Sequence, residues 1–185
     1  CFLHFYERKD LHYNIAFAAT AEEEISGAGG ISSLLPQLPP IEVAIVGEPT
    51  GMEMAIAERG LMVIDAKATG RSGHAARNEG ENALYKAVAD IQRIQNLKFP
   101  KNSDLLGPVQ LNVTVIQTDN LAHNVIPDTC NFVIDVRMNE LYQPEELLEI
   151  LGKEMQSEIK PRSTRLKSSL IAPDHPLVKA GTLIG

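Results

Sequence analysis

The chain has 185 residues, 44% of them hydrophobic, and a formal net charge of −7. A chain of this length can bury one good core or two small ones. Its acidic balance argues against nucleic acid or anionic lipid as a partner, because both are bound by clustered Lys and Arg, and the densest basic stretch, 160–167, is short. The sequence also has no apolar stretch of the length that a membrane helix needs.

Two short apolar runs near the start of the chain have the length of strands. They cover residues 13–19 and 41–46, and turn residues bound each of them. Continuous apolar runs of this kind predict strands buried on both faces, as in an α/β sheet. A Pro-rich loop with at most one short helical turn separates the two runs.

From residue 58 onward the apolar spacing predicts a different unit. Alternation predicts strands in 61–69, 108–117 and 131–138, and helical spacing predicts a helix over 82–97. Pro144 opens a second helix whose apolar side continues to Ile159, and a last strand is expected near 165–171. The order strand, helix, strand, strand, helix, strand is the ferredoxin-like pattern, in which helices cover one face of the sheet.

Three adjacent glutamates, Glu22, Glu23 and Glu24, directly follow the first predicted strand, and Glu48 follows the second. Most acidic triplets are solvated loops or helix starts. These glutamates, however, lie at the carboxyl ends of predicted strands, and that is where open α/β sheets bind ligands. Carboxylates that converge at such an edge repel each other, and a divalent metal such as Zn²⁺ offsets that repulsion.

Five motifs in a fixed order carry a resemblance to a known family. They read TAEEEISG, VGEPT, GRSGHAAR, HNVIPD and VIDVR, and they span Thr20 to Arg137. The set resembles the co-catalytic zinc family of acetylornithine deacetylase, succinyl-diaminopimelate desuccinylase, aminoacylase and carboxypeptidase G. The stretch around VGEPT and GHAARNEG is most similar to the acetylornithine deacetylase branch.

The resemblance implies roles for the glutamates. Glu23 matches the general base, Glu24 a ligand of one zinc, and Glu48 a ligand of the other zinc; Glu22 stands where the family usually has Asp. Two metals that share a water lower its pKa and generate a hydroxide nucleophile, and a carboxylate in reach takes and returns its proton. The implied cofactor is therefore zinc, two per complete site, with cobalt as a possible substitute.

The same resemblance implies roles for three residues of the second unit. His74 matches a lid histidine that reaches the partner subunit's active site and stabilises the oxyanion. Asn124 matches a substrate-contacting asparagine, and Arg137 an arginine that holds the substrate carboxylate. Each has a plainer interpretation: His74 and Asn124 as turn residues, and Arg137 as the ion-pair partner of Asp135 on the same side of its strand.

The implied fold class is α/β: a partial zinc-peptidase-like catalytic domain at 1–57, an inserted ferredoxin-like lid and dimerisation domain at 58–171, and a return towards the catalytic domain at 172–185. The implied function is hydrolysis of an N-acyl amino acid, most closely N-acetylornithine in arginine biosynthesis, by a homodimer that pairs through the lid. With only two cysteines, Cys1 and Cys130, a cytoplasmic location is expected.

The family's remaining metal ligands, which include a His-x-Asp motif, have no match in this sequence. We therefore expect the chain to be the middle portion of such an enzyme and to be inactive in isolation, because zinc affinity depends on a filled coordination shell. Two alternatives stay open. One is a desuccinylase or dipeptidase with the same machinery, and the other is a non-catalytic dimerisation domain in which the glutamates are dispensable.

Overall fold

The structure, a computed structural model, describes residues 2–25, 27–51, 53–77 and 79–184. Cys1, one of the two cysteines considered above, lies outside these residues. The chain divides into two compact units, Cys1–Pro49 and Thr50–Gly185. The domain boundaries expected at 57/58 and 171/172 stay predictions. No helix among the described residues combines the length and apolar character that crossing a membrane requires.

The first unit holds only short helical segments among its described residues. They are α1 (Phe2–Phe5), α2 (Ile31–Leu34) and a 3₁₀ turn at Leu35–Gln37. The strands predicted over 13–19 and 41–46 are wrong for this structure, since both segments are irregular and largely exposed. A strand buried on both faces needs hydrogen-bonded neighbours, and the described part of this unit provides none.

The second unit is built around an antiparallel sheet of four strands, in the order β4-β6-β2-β7. Its elements in chain order are β1 (Ala57–Glu58), β2 (Gly60–Thr69), β3 (Gly73–His74), α3 (Ala83–Asn96), β4 (Gln110–Gln117), β5 (Val125–Ile126), β6 (Thr129–Met138), α4 (Pro144–Glu154), β7 (Glu158–Pro161), β8 (Ser169–Leu170) and α5 (Pro176–Ile184). The predicted ferredoxin-like arrangement is confirmed. β2 and β6 form its centre and pair along all of their length.

Local signals fix the two helices that cover the sheet. Asn82 caps α3, because its side-chain oxygen accepts hydrogen bonds from the backbone N–H groups of Leu84 and Tyr85 at 2.9 and 3.4 Å. α4 begins at Pro144, as predicted, with two glutamates in its first turn. One face of β2 and β6 packs against these helices around fully buried side chains, among them Phe132 and Ile134.

The last edge of the sheet differs from the prediction. α4 ends at Glu154, and Ile159 lies in β7, which pairs with β2 through Ile64 and Ala66. The chain stays beside β2 as a broken strand, and β8 pairs with β1 instead of joining the sheet. The strand expected near 165–171 is present only in part, as a bridge from Leu166 to Leu61 and as β8. The second helix is shorter than predicted, because the apolar spacing of Ile159 suits a helix and a strand equally and the turn at Gln156 and Ser157 decides between them.

A buried carboxylate fixes that turn. Asp90 of α3 is fully buried and accepts hydrogen bonds from the N–H and O–H groups of Ser157 at 2.8 and 2.6 Å and from Gln156 N–H at 3.1 Å. Arg93 adds an ion pair at 2.7 Å. Burial alone raises the pKa of Asp90, but the hydrogen bonds from Ser157, Gln156 and Arg93 outweigh it and hold the pKa below its usual value. The carboxylate thus ties α3 to the chain between α4 and β7.

Candidate functional site

Two of the predicted site residues meet at one end of the second unit. β3 pairs antiparallel with β5, so that His74 lies opposite Val125, the neighbour of Asn124. The backbone N–H of Ala75 donates to the carbonyl of Asn124 at 2.9 Å. His74, in β3, and Asn124, immediately before β5, are 50 positions apart in the sequence and are therefore held on adjacent segments. Both residues are exposed.

A local hydrogen bond orients the His74 ring. Its Nδ1 accepts the backbone N–H of Ala76 at 3.2 Å. An Nδ1 atom that accepts is unprotonated, so in the neutral imidazole the proton sits on Nε2, which can then donate. An exposed imidazole with a donating Nε2 is the form that can stabilise a developing negative charge on a substrate oxygen.

The segment before His74 is folded so tightly that Gly70 and Gly73 leave no room for a side chain. Gly70 donates its N–H to the carbonyl of Asp128 at 2.7 Å, and a Cβ at Gly70 would come within 2.0 Å of the Glu81 carbonyl. Arg71 and Glu81 exchange two backbone hydrogen bonds at 2.9 and 2.8 Å. These contacts anchor the His74 segment to the start of α3, so its path is set before any ligand arrives.

Asn120 braces the turn that contains Asn124, a role that was not predicted from the sequence. Its amide nitrogen donates to the carbonyls of Val125 at 2.8 Å and Ala122 at 3.2 Å, and its side-chain oxygen accepts from Ala122 N–H at 3.1 Å. The sequence could have indicated this role, because Asn side chains commonly form hydrogen bonds with the backbone two residues further on and stabilise turns.

Arg137 lies elsewhere on the sheet. It stands near the far end of β6, on the face away from the helices, whereas Thr129 begins β6 beside the His74 end. Arg137 lies eight residue steps along β6 from Thr129, which corresponds to roughly 26 Å. Arg137 forms an ion pair with Asp135, with Nε to Oδ1 at 2.8 Å and Nη2 to Oδ2 at 3.1 Å. One copy of the chain therefore does not bring Arg137 next to His74 and Asn124.

The glutamates of the first unit lie in an exposed loop. Glu22 has a φ of 62°, which is uncommon for a residue other than glycine, and its carboxylate accepts the N–H of Gly29 at 2.8 Å. Its carbonyl accepts the N–H of Gly27 at 2.9 Å. Glu22 thus closes its own loop, while Glu23 and Glu24 remain exposed beside it.

The described residues do not by themselves provide the zinc site that the resemblance implies. No three His, Cys, Asp or Glu side chains of the described chain are grouped so that they could hold a metal ion. Glu48 is exposed, as Glu24 is. Because a stable zinc site in a protein has at least three protein ligands, Glu24 and Glu48 alone do not fit a complete one.

Comparison with known proteins identifies the second unit. The peptidase dimerisation domain matches residues 56–163, more than half of the chain. The succinyl-diaminopimelate desuccinylase of Dinoroseobacter shibae is 32% identical over 143 residues, which are 72% of this chain and 38% of that protein. That of Orientia tsutsugamushi strain Ikeda is 29% identical over 166 residues, 84% of this chain and 42% of that protein.

A solved structure supports the same fold. The aminopeptidase PepT of Bacillus cereus superposes with a TM-score of 0.53 at 15% identity, over 70% of this chain and 37% of that one. The chain belongs to the peptidase dimerisation domain family, which confirms the predicted kinship with the zinc peptidases and aminoacylases. It spans about two fifths of the length of the curated relatives named above.

Proposed function

We propose that this chain is the lid, with part of the catalytic region, of a metal-dependent hydrolase that cleaves the linear amide of an N-acyl amino acid. The observation that carries the proposal is the pairing of β3 with β5. It holds His74, with a donating Nε2, beside Asn124 at one exposed end of a dimerisation domain. A donor held in place before the reaction is what an amide carbonyl needs as it becomes an oxyanion.

The curated relatives favour a succinyl group as the acyl group. Both relatives described above are named succinyl-diaminopimelate desuccinylases. The motif resemblance favoured N-acetylornithine and arginine biosynthesis, and the relatives named above do not carry that finer assignment. We therefore put N-succinyl-diaminopimelate first as the substrate and keep N-acetylornithine as the second candidate, favoured by the VGEPT and GHAARNEG stretches.

The glutamates complete the proposal. Glu23 is assigned the general base, which takes a proton from the attacking water and returns it to the leaving amine. Glu24 and Glu48 are assigned to the ligand set of zinc, together with ligands from outside the described residues. If those further ligands complete its site, zinc would lower the pKa of the attacking water.

We further propose that the working site is shared between two copies of the chain in a homodimer. Arg137 lies roughly 26 Å along β6 from the end that carries His74 and Asn124, a distance longer than a small N-acyl amino acid. Two copies related by a twofold axis can bring the His74 end of one to the Arg137 end of the other. His74 and Asn124 would then act on substrate whose carboxylate is held by Arg137 of the other copy.

A graft tests the proposed activity. The chain would replace the matching segment of the Dinoroseobacter shibae desuccinylase, and hydrolysis of N-succinyl-diaminopimelate and of N-acetylornithine would be measured with zinc. We expect turnover of the succinyl substrate, and we expect His74→Ala to lower kcat by roughly 10²–10³. His123→Ala is the matched control, because His123 is an exposed histidine beside Asn124 without an assigned role.

The result also separates the alternatives. Preference for N-acetylornithine would restore the first substrate assignment. A folded, dimeric graft that hydrolyses neither compound would contradict the proposal and favour a non-catalytic dimerisation domain. That alternative is supported by the exposed glutamates and by the lack of a metal-binding group among the described residues. It also predicts that Glu23→Ala changes nothing.

A further inference from the structure

Asp135 holds one particular edge of the Arg137 guanidinium. The two residues lie two apart on β6 and therefore on the same side of the strand. The carboxylate accepts from Nε at 2.8 Å and from Nη2 at 3.1 Å. The side chains are 44% exposed for Arg137 and 24% for Asp135, so the pair lies at the surface with its carboxylate the more covered member.

This geometry leaves the other edge of the guanidinium available. Arginine carries five N–H donors in a planar fork, and Asp135 uses one on Nε and one on Nη2. Both N–H groups of Nη1 and the second N–H of Nη2 have no hydrogen-bond partner among the described residues. One N–H of Nη1 and the second N–H of Nη2 form the end-on pair of the fork, and a carboxylate matches that pair with two parallel hydrogen bonds.

The ion pair also prepares the side chain for binding. A free arginine has many rotamers, and binding a ligand with a side chain that is already ordered avoids part of the entropy cost. Asp135 raises the pKa of Arg137 above its already high value, so the guanidinium stays charged. The expected cost of this arrangement is repulsion between Asp135 and an arriving carboxylate, which the high dielectric of an exposed site weakens.

We propose that Asp135 is a positioning residue, which fixes Arg137 by its Nε edge and presents the end-on N–H groups to the substrate carboxylate. The proposal rests on the proposed function, in which Arg137 holds that carboxylate. The opposite arrangement, in which Asp135 occupies Arg137 and competes with substrate, predicts the opposite effect of removing the charge.

The sheet offers a matched control on the same face. Asp65 of β2 holds Arg162 in the same two-pronged way, with Nε at 2.9 Å and Nη2 at 2.7 Å from its oxygens. Asp135→Asn and Asp65→Asn therefore remove the same charge from ion pairs of the same geometry, of which the second is the more exposed. Only Asp135→Asn removes the partner of the arginine that is assigned to the substrate carboxylate.

The test is nuclear magnetic resonance of the graft described above, which carries Glu23→Ala so that the probe is not hydrolysed, labelled with ¹⁵N and titrated with N-succinyl-diaminopimelate as the probe. Before any change at Asp135 or Arg137 we expect a slowly exchanging Nε–H signal from Arg137. Asp135→Asn should speed the exchange of that proton and weaken binding of the probe about three- to tenfold. Asp65→Asn should leave the dissociation constant unchanged, and Arg137→Ala should abolish binding. Melting temperatures of all three variants check that the fold is kept.

The outcomes distinguish the role of Asp135 from the role of Arg137. Unchanged or tighter binding by Asp135→Asn, with binding lost in Arg137→Ala, overturns the positioning role and leaves the proposed function of Arg137 intact. An Nε–H proton that exchanges equally slowly without Asp135 overturns the positioning role even before the probe is added. Binding that survives Arg137→Ala, or no binding by the graft that keeps both Asp135 and Arg137, overturns both the role of Arg137 and that of Asp135.

Discussion

Replacing Asp90 by alanine is expected to destabilise the second unit more than any surface change, because Asp90 is a fully buried acceptor. The substitution leaves the buried N–H and O–H groups of Ser157 without a partner, at about 1–3 kcal/mol each. The N–H of Gln156 belongs to an exposed residue and can turn to water. The Arg93 side chain is partly exposed, so the loss of its ion pair with Asp90 adds little to the free-energy cost. We therefore expect the free energy of unfolding to fall by about 3 kcal/mol.

The assay is thermal unfolding followed by circular dichroism. With an unfolding entropy of about 2.1 cal/mol/K per residue, the loss should lower Tm by roughly 10 °C for a unit of this size. Glu149→Ala is the control, because its ion pair with Lys153 at 2.6 Å is exposed on both sides and should not change Tm measurably. A drop in Tm of less than about 3 °C for Asp90→Ala would refute the assignment of Asp90 as the anchor between α3 and β7.

The same carboxylate predicts a pH dependence. The pKa of Asp90 is lowered by folding, so the folded state is favoured when the group is ionised. Its contribution is complete above the unfolded pKa, near pH 4, and is lost as the pH falls through the lower folded pKa. The difference in Tm between the unsubstituted chain and Asp90→Ala should therefore be constant near neutral pH and shrink below about pH 4. A difference that grows on acidification would contradict this reasoning.

Two further predictions concern the start of α3 and the loop before it. Asn82→Ala removes the helix cap and should cost about 1 kcal/mol, a fall of about 3 °C in Tm, whereas Asn82→Asp should retain most of the stability. Gly70→Ala places a methyl group against the Glu81 carbonyl, so Tm should fall and the amide signals of the His74 segment should shift; Gly47→Ala, where a Cβ meets nothing within 4 Å, should do neither. Unchanged His74 signals in Gly70→Ala would contradict the tight packing of that loop.

Most of the second unit could be predicted because its signals are local. The alternation in β2 and β6 and the cap at Asn82 depend on neighbours in sequence, and the structure follows them. The strands predicted from the apolar runs at 13–19 and 41–46 are wrong, because a buried strand also requires a partner strand that hydrophobicity does not specify.

The candidate site was predictable only in part for a related reason. Motifs identified His74, Asn124 and Arg137, but their separation depends on strand pairing and direction. Only the pairing of β3 with β5 brings the first two together, and only the length of β6 separates them from Arg137. The Asn120 hydrogen bonds that stabilise the turn containing Asn124 could have been predicted from the sequence, because Asn is a common turn residue.

The central claim, a site shared by two copies, is tested most directly by mixing two inactive grafts. One carries His74→Ala and keeps the catalytic carboxylates, and the other carries Glu23→Ala and keeps an intact lid. If His74 acts in the partner's site, subunit exchange creates dimers with one complete site, and the mixture should recover about a quarter of the unsubstituted activity. No recovery, with exchange demonstrated by mass, would mean that His74 serves its own copy and would contradict the account.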